Sequence, residues 1–185
     1  MLLRPAASIS ALGGAAIRPL REPDYPLVLG LHAALDNSTV AASLAVEDPG
    51  FVAAARAEPW ASPMVLSQDG EEGAMAVVGA ADSQNRHGRL VVIAKEPERW
   101  AEPLAIYVRH VFWSHPLHRL YSLVPVGARG SHQYLGLLRA CGFASEGRLV
   151  RHQRVGTRLV DLELLALLRP EFDAWCRDHQ PGLAL

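Results

Sequence analysis

Cysteine is nearly absent from this sequence: Cys141 and Cys176 are far apart, and no Cys-x-x-Cys spacing occurs. A disulfide scaffold and a zinc knuckle are thereby excluded, and a reducing, cytoplasmic setting fits. An excess of one charge is equally lacking. Lys plus Arg (18) balance Asp plus Glu (19), for a net charge of −1. No overall field draws a polyanion, so nucleic acid is not an expected partner. No run reaches the ~20 apolar residues that cross a bilayer, so no membrane partner is expected either. The opening "MLLRPAASISALGGAA" is interrupted by Pro5, Ser8, Ser10 and Gly13–Gly14. It therefore lacks the continuous apolar segment of a secretory signal, and residues 1–14 read as a flexible tail. The Gly-Lys-Ser/Thr phosphate loop and the Gly-x-Ser-x-Gly elbow are also missing, which removes nucleotide-triphosphatase and hydrolase readings.

What is present is apolar patterning. Half of the 185 residues are hydrophobic, enough for one core in a single domain. After a short strand at "AIRPL", Asp24 is placed to cap a helix that Tyr25–Pro26 opens, because proline is tolerated in a first turn. Leu27, Leu31 and Leu35 share one face of it. A second helix runs from Pro49 through "FVAAARAEPW" and stops before Pro59. Three strands follow, "PMVLSQDG", "GAMAVVGAADS" and "RLVVIA", separated by turn-forming residues. Leu104, Val108 and Val111–Phe112 then return at helical spacing. "RLYSLVPV" reads as a strand, and "SHQYLGLLRACGF" as a helix capped by Ser131. Gly142 sits where that helix ends in a left-handed residue, and Phe143 folds back onto its last turn. "GRLVRHQRV" and "RLVDLELLALL" close the chain as a hairpin. The order is β, two helices, three strands, helix, strand, helix, two strands, an α/β layered domain over 15–175 with a tail from 176 to 185.

Particular residues accompany this order: "IRPL" near the start, His118–Arg119 opening a strand, Gly142–Phe143 ending a helix, Glu146–Gly147, Gly156, Asp161, and Leu167–Leu168–Arg169 with Glu171. Together they resemble the GNAT superfamily of acyl-CoA-dependent N-acetyltransferases, in particular the branch that acetylates the N-termini of ribosomal proteins. The resemblance implies a mixed, mostly antiparallel sheet of six or seven strands flanked by helices, with one splayed parallel pair formed by "RLVVIA" and "RLYSLV". It implies acetyl-CoA as co-substrate, no metal, and an amine of a small molecule or peptide as acceptor. The pantetheine arm would then lie on the backbone of Val91, Val92, Ile93 and Ala94, with the diphosphate on the next helix N-terminus.

The sequence departs from that pattern in the phosphate loop. Where the family has a glycine-rich segment, this chain reads "AKEPERWAEP". Pro97 removes an amide donor, and Glu96 and Glu98 add negative charge beside the expected phosphates. Lys95 and Arg99 either compensate as cations or are ordinary solvated side chains. The branch opens its last helix with Asn-x-x-Ser, and here the corresponding positions are Ser131 and Tyr134. Tyr134 is either a general acid for the leaving thiolate or a core tyrosine bonded to backbone. Asp82, with Glu47 next, is the carboxylate best placed to be a base, and each also reads as a surface residue. His110, His115 and His118 lack partner ligands for a metal, and Cys141 reads as core. Two functions follow from the resemblance: a working N-acyltransferase, or a GNAT-fold module that has lost acetyl-CoA binding and serves assembly, as a homodimer through the apolar C-terminal hairpin.

Overall fold

The computed structural model describes residues 9–10, 14–34, 57, 62–82, 84–128, 130–155 and 157–179. Among them are eight strands: β1 (Ile9–Ser10), β2 (Ala15–Pro19), β3 (Met64–Gln68), β4 (Glu71–Asp82), β5 (His87–Ala94), β6 (Arg119–Pro125), β7 (Ala144–Val155) and β8 (Arg158–Leu168). Four helices accompany them: α1 (Tyr25–Ala34), α2 (Ala101–Ser114), α3 (Ser131–Ala140) and α4 (Arg169–His179). The strands form one sheet in the order β1-β2-β3-β4-β5-β6-β8-β7. Every neighbouring pair is antiparallel except β5 and β6. The expected layered domain and its one parallel pair are both present.

β5 is a continuous apolar run because both of its faces are covered. Val91 and Ile93 join Val65, Met75 and Val77 under Val28 and Leu31 of α1. Val92 and Ala94 point the other way, into a larger core with Leu104, Tyr107 and Phe112 of α2 and Tyr134, Leu137 and Leu138 of α3. Leu104, Tyr107, Val108, Val111 and Phe112 are completely buried. Each apolar side chain so buried contributes about 1.5–3 kcal/mol of transfer free energy. The β3–β4 turn carries Asp69 and Gly70 at φ 53° and 80°, the paired left-handed geometry that suits the twist of a two-residue hairpin.

The expected α3 terminus is found. Gly142 has φ 88°, the Phe143 amide reaches back to the Leu138 carbonyl at 3.1 Å, and Phe143 is buried. At the other end of α3 the structure differs from the sequence reading. Gly130, at φ 80°, is the capping residue, Ser131 is the first helical residue, and no side chain caps the helix. Asp24 likewise lies inside a short 3-10 turn ahead of α1, where its carboxylate accepts from the Arg21 amide and pairs with Arg18.

Ordered structure extends beyond 15–175 at both ends. Ile9 and Ser10 pair with β2, and α4 runs to His179. The sequence reading gave no helix here; Pro170 is compatible with one, because proline in a first turn forfeits only an amide with no helical partner. Glu171 completes the start by accepting from the Leu168 amide at 3.0 Å. Phe172 then stacks on Trp175 and meets Phe112. The second helix expected from Pro49 falls, apart from Ala57, outside the described residues, as does Leu35.

Candidate functional site

β5 and β6 run side by side only briefly. Their register is His87↔Arg119, Gly88↔Leu120 and Arg89↔Tyr121, after which Leu90–Ala94 continue without a ladder partner on β6. β6 meanwhile stays paired to β8 on its other edge. The result is a wedge with an unpaired strand edge on one side. Which residues face it follows from strand alternation. The Lys95 amide turns away, to the Gly73 carbonyl of β4, while both backbone groups of Ala94 turn toward the wedge. Val92 shares the orientation of Ala94, and Val91 and Ile93 share that of Lys95. Of the four backbone candidates, two are therefore oriented to bond a ligand in the wedge.

Helix α3 closes the wedge with Tyr134. Its hydroxyl accepts from the Ala94 amide at 3.0 Å and donates to the Ala94 carbonyl at 3.0 Å. The ring is 3% exposed. Burial pushes the phenol up to about 12, outweighing the backbone bond to Ala94, so the group stays protonated across the physiological range. Ser131, one turn earlier, is also buried, and its Oγ has no partner among the described residues.

The segment after β5 is filled by its own side chains. Glu96 adopts φ 47°, and Pro97 opens a 3-10 turn, Pro97–Trp100, that leads into α2. The Trp100 indole is 2% exposed and donates from Nε1 to the Lys95 carbonyl at 2.6 Å. It lies so close to Gly73 that a Cβ there would meet the ring at 2.6 Å. Arg99 is drawn to Glu71 at 2.6 Å and lies over the Trp100 ring. Lys95 is exposed. On the α1 side, a cavity of about 330 Å³ is lined by Leu27, Leu31, Glu71, Glu96, Lys95 and Trp100. The backbone groups of Ala94 are taken by Tyr134, so a ligand would bond them only in exchange for that hydroxyl. The loop offers an anion few donors: Pro97 has no amide N–H, the Arg99 amide is bonded to the Glu96 carbonyl, and Glu96 and Glu98 bring carboxylates to the segment.

The other candidates lie elsewhere. Asp82 pairs with His87, at the opposite end of β5 from Ala94. The strand rise puts roughly 20 Å between them, so the structure does not bring Asp82 and Tyr134 together. Glu47 lies outside the described residues. His115 meets Ser62 at 3.1 Å, His110 meets Ser114 at 3.4 Å, and the His118 amide bonds the Arg86 carbonyl. Among the described residues no group of three or more His, Cys, Asp or Glu could hold a metal, and no helix is long and apolar enough to cross a membrane. Cys141 is fully buried and donates to the Ala101 carbonyl, and burial raises its thiol far above the ordinary range.

Comparison with solved structures matches this arrangement over nearly the whole chain. Mycobacterium smegmatis RimJ in complex with CoA-disulfide superposes with a TM-score of 0.68 at 22% identity, over 90% of this chain and 89% of that one. The Salmonella typhimurium acetyl transferase that modifies the N-terminal serine of ribosomal protein L7/L12 gives 0.72 at 16% identity, over 88% and 99%. A point mutant of the Vibrio cholerae spermidine N-acetyltransferase SpeG gives 0.70 at 15% identity, over 86% and 96%. This chain has the GNAT fold. No protein-family model and no curated protein sequence matches it.

Within this GNAT fold, one residue at the wedge escaped the sequence reading. Arg89 occupies the last paired position before β5 and β6 part, opposite Tyr121. Its guanidinium is half-buried, desolvation lowers its pKa, and its Nε has no partner among the described residues. Only its position one residue before the apolar run "LVVIA" could have marked it, since nothing local distinguishes it from an exposed strand arginine. Arg119, on the neighbouring strand, is instead paired with Glu146.

Proposed function

We propose that the chain is an acyl-CoA-dependent N-acyltransferase that moves an acetyl or related acyl group to an amine of a small molecule or a protein. The observation that carries this reading is the wedge beyond Arg89 and Tyr121, with the protonated hydroxyl of Tyr134 at its open edge. On this reading the pantetheine arm lies along β5, bonded at Val92 and, once Tyr134 turns aside, at Ala94. The acceptor amine attacks the thioester carbon directly. The Val92 amide faces the wedge and stabilises the negative charge that develops on the carbonyl oxygen. The C–S bond then breaks, and the proton released from the attacking nitrogen ends on the sulfur. Tyr134, held at about 12, lies some three units above an ordinary thiol at ~8.5. Full proton transfer from it to a thiolate is uphill, so its contribution is a hydrogen bond to the departing sulfur.

A second reading has its own support. The indole of Trp100 beneath the loop, the missing amide of Pro97 and the carboxylates of Glu96 and Glu98 suit a GNAT-fold binding module that does not use acetyl-CoA. Calorimetric titration with acetyl-CoA, paired with an assay for free thiol release in the presence of amines, separates the two. Saturable binding with thiol release supports the enzyme. No binding at millimolar acetyl-CoA overturns it and leaves the module.

A further inference from the structure

Strand β6 pairs with β8 only from Pro125↔Leu162 inward, while β7 and β8 continue as a two-stranded arm to the turn before Arg158. The arm projects past the C-terminal end of β6, the end at which β5 and β6 have parted. Its sequence, "RLVRHQRVGTR" over 148–158, contains Arg148, Arg151, Arg154, Arg158 and His152 and no acidic residue. In a chain whose net charge is −1, this is a sharply local excess of positive charge.

The arm's base is organised by Asp161. Its carboxylate accepts from Arg148 and from the Arg151 amide at 2.7 Å, and its carbonyl accepts from the Val126 amide at 2.8 Å. That fixes Arg151 at φ 48° and breaks the β7–β8 register between Leu149 and Gln153, a bulge that turns side chains outward. Arg151 and Arg158 are exposed, and no carboxylate among the described residues forms an ion pair with either guanidinium. Val150 and Leu159 stand beside them, 71% and 58% exposed. An open trough of about 280 Å³ runs from the foot of the arm, lined there by Leu149, Leu123 and Leu164 and farther along β6 by Tyr121, Arg119 and the adjoining His87.

We propose that the arm and trough form a docking surface for an acidic segment of a partner protein, whose carboxylates meet Arg151 and Arg158 and whose aliphatic side chains enter the trough. Cations interleaved with exposed aliphatics are complementary to such a segment. Single-stranded nucleic acid is the poorer fit, because it is held by aromatic stacking platforms. The arm carries no Phe, Tyr or Trp, and Tyr121 is engaged edge-on with His87. A second copy docking arm to arm would set like charges against each other. The inference holds whether or not the wedge carries acyl transfer.

Fluorescence anisotropy with the whole chain tests it, using a labelled peptide of repeating Glu-Glu-Leu as probe. The parent is expected to bind with an affinity that falls as salt rises. The double variant Arg151→Glu/Arg158→Glu should bind at least about tenfold more weakly, while Arg21→Glu/Arg177→Glu, with the same change in net charge at exposed positions on other elements, should bind like the parent. Should the charge-reversed arm fail to fold, judged by its melting curve, Arg151→Gln/Arg158→Gln takes its place. Absence of binding by the parent, or equal loss in both double variants, overturns the proposal. Tighter, arm-dependent binding of oligouridylate than of the peptide overturns the partner class. A parent dimer whose arm variants are monomers overturns it in favour of self-association.

Discussion

The one hydroxyl of Tyr134 holds both backbone groups of Ala94, accepting from the N–H and donating to the C=O at 3.0 Å each. A strand edge that has lost its neighbour normally leaves such groups to water or to a ligand. Here a helix side chain serves them, so α3, the end of β5 and the following loop are tied at one point. Any ligand that lies along this edge competes with that tie.

Tyr134→Phe keeps the ring and removes both bonds. Stability should fall by about 1–3 kcal/mol, the cost of leaving a buried donor and acceptor unpaired, measured by thermal or denaturant unfolding. If the chain is an acyltransferase, turnover should also fall, by roughly ten- to a hundredfold for a lost hydrogen bond to the leaving sulfur, with acyl-CoA affinity undiminished. A loss confined to KM would make Tyr134 a binding residue instead. Unchanged turnover with lowered stability would leave it a core tyrosine.

Glu96→Gly should stabilise the protein. The residue is held at φ 47°, a conformation that costs a side chain about 1 kcal/mol and costs glycine nothing. Removing a carboxylate next to the expected diphosphate position should also strengthen acetyl-CoA binding several-fold. A rise in melting temperature without any gain in calorimetric affinity would show that the diphosphate does not approach this loop.

Gly142→Val should be costly for two independent reasons. The position has φ 88°, and its added Cβ would stand 3.1 Å from the Trp175 ring. Left-handed strain and crowding together predict about 2–3 kcal/mol of lost stability. The companion variant Gly142→Val/Trp175→Ala should recover part of it relative to Trp175→Ala alone. A melting temperature equal to the parent's in the single variant would contradict the terminus described here.

Stability should decline on mild acidification. Burial holds the imidazoles of His110 and His115 below their usual 6.5, and His115 adds a repulsive charge for His110. The unfolded chain then binds protons that the folded chain refuses, so this contribution is complete above the unfolded value and is lost as pH drops below it. The melting temperature should fall between about pH 7.5 and 5.5 and fall less in His110→Gln/His115→Gln. Asp24, held down by Arg18, titrates in a lower window and does not interfere. Equal pH dependence in parent and double variant would assign the effect to other groups.

Much of this protein is determined locally and was legible in the chain. Apolar residues recurring at helical spacing from Leu104 to Phe112 mark a helix, the run from Leu90 to Ala94 marks a strand, and Gly142–Phe143 marks a helix end. Each depends only on neighbours within a turn or two, because backbone propensity and the apolar face are short-range properties. The site was legible only as residue types. Val91 and Val92 look alike in sequence, yet the pairing of β5 with β4 on one side and the wedge on the other turns their backbone groups in opposite directions. Asp82 looked well placed at a strand end, but the strand's length carries it away from Tyr134. The bonds from Tyr134 to Ala94 span 40 residues, and the contact of Trp100 with Gly73 joins the start of one helix to the start of a distant strand. Helix α4, which starts at Arg169, has its apolar face defined by Phe112 of α2 and by Phe172 packing on Trp175, contacts that the sequence reading did not supply. The Arg-rich hairpin became an arm only where β6 stops at Pro125 and β8 does not. Such relationships depend on which elements cross and pack, and chain order leaves that open until the whole core closes.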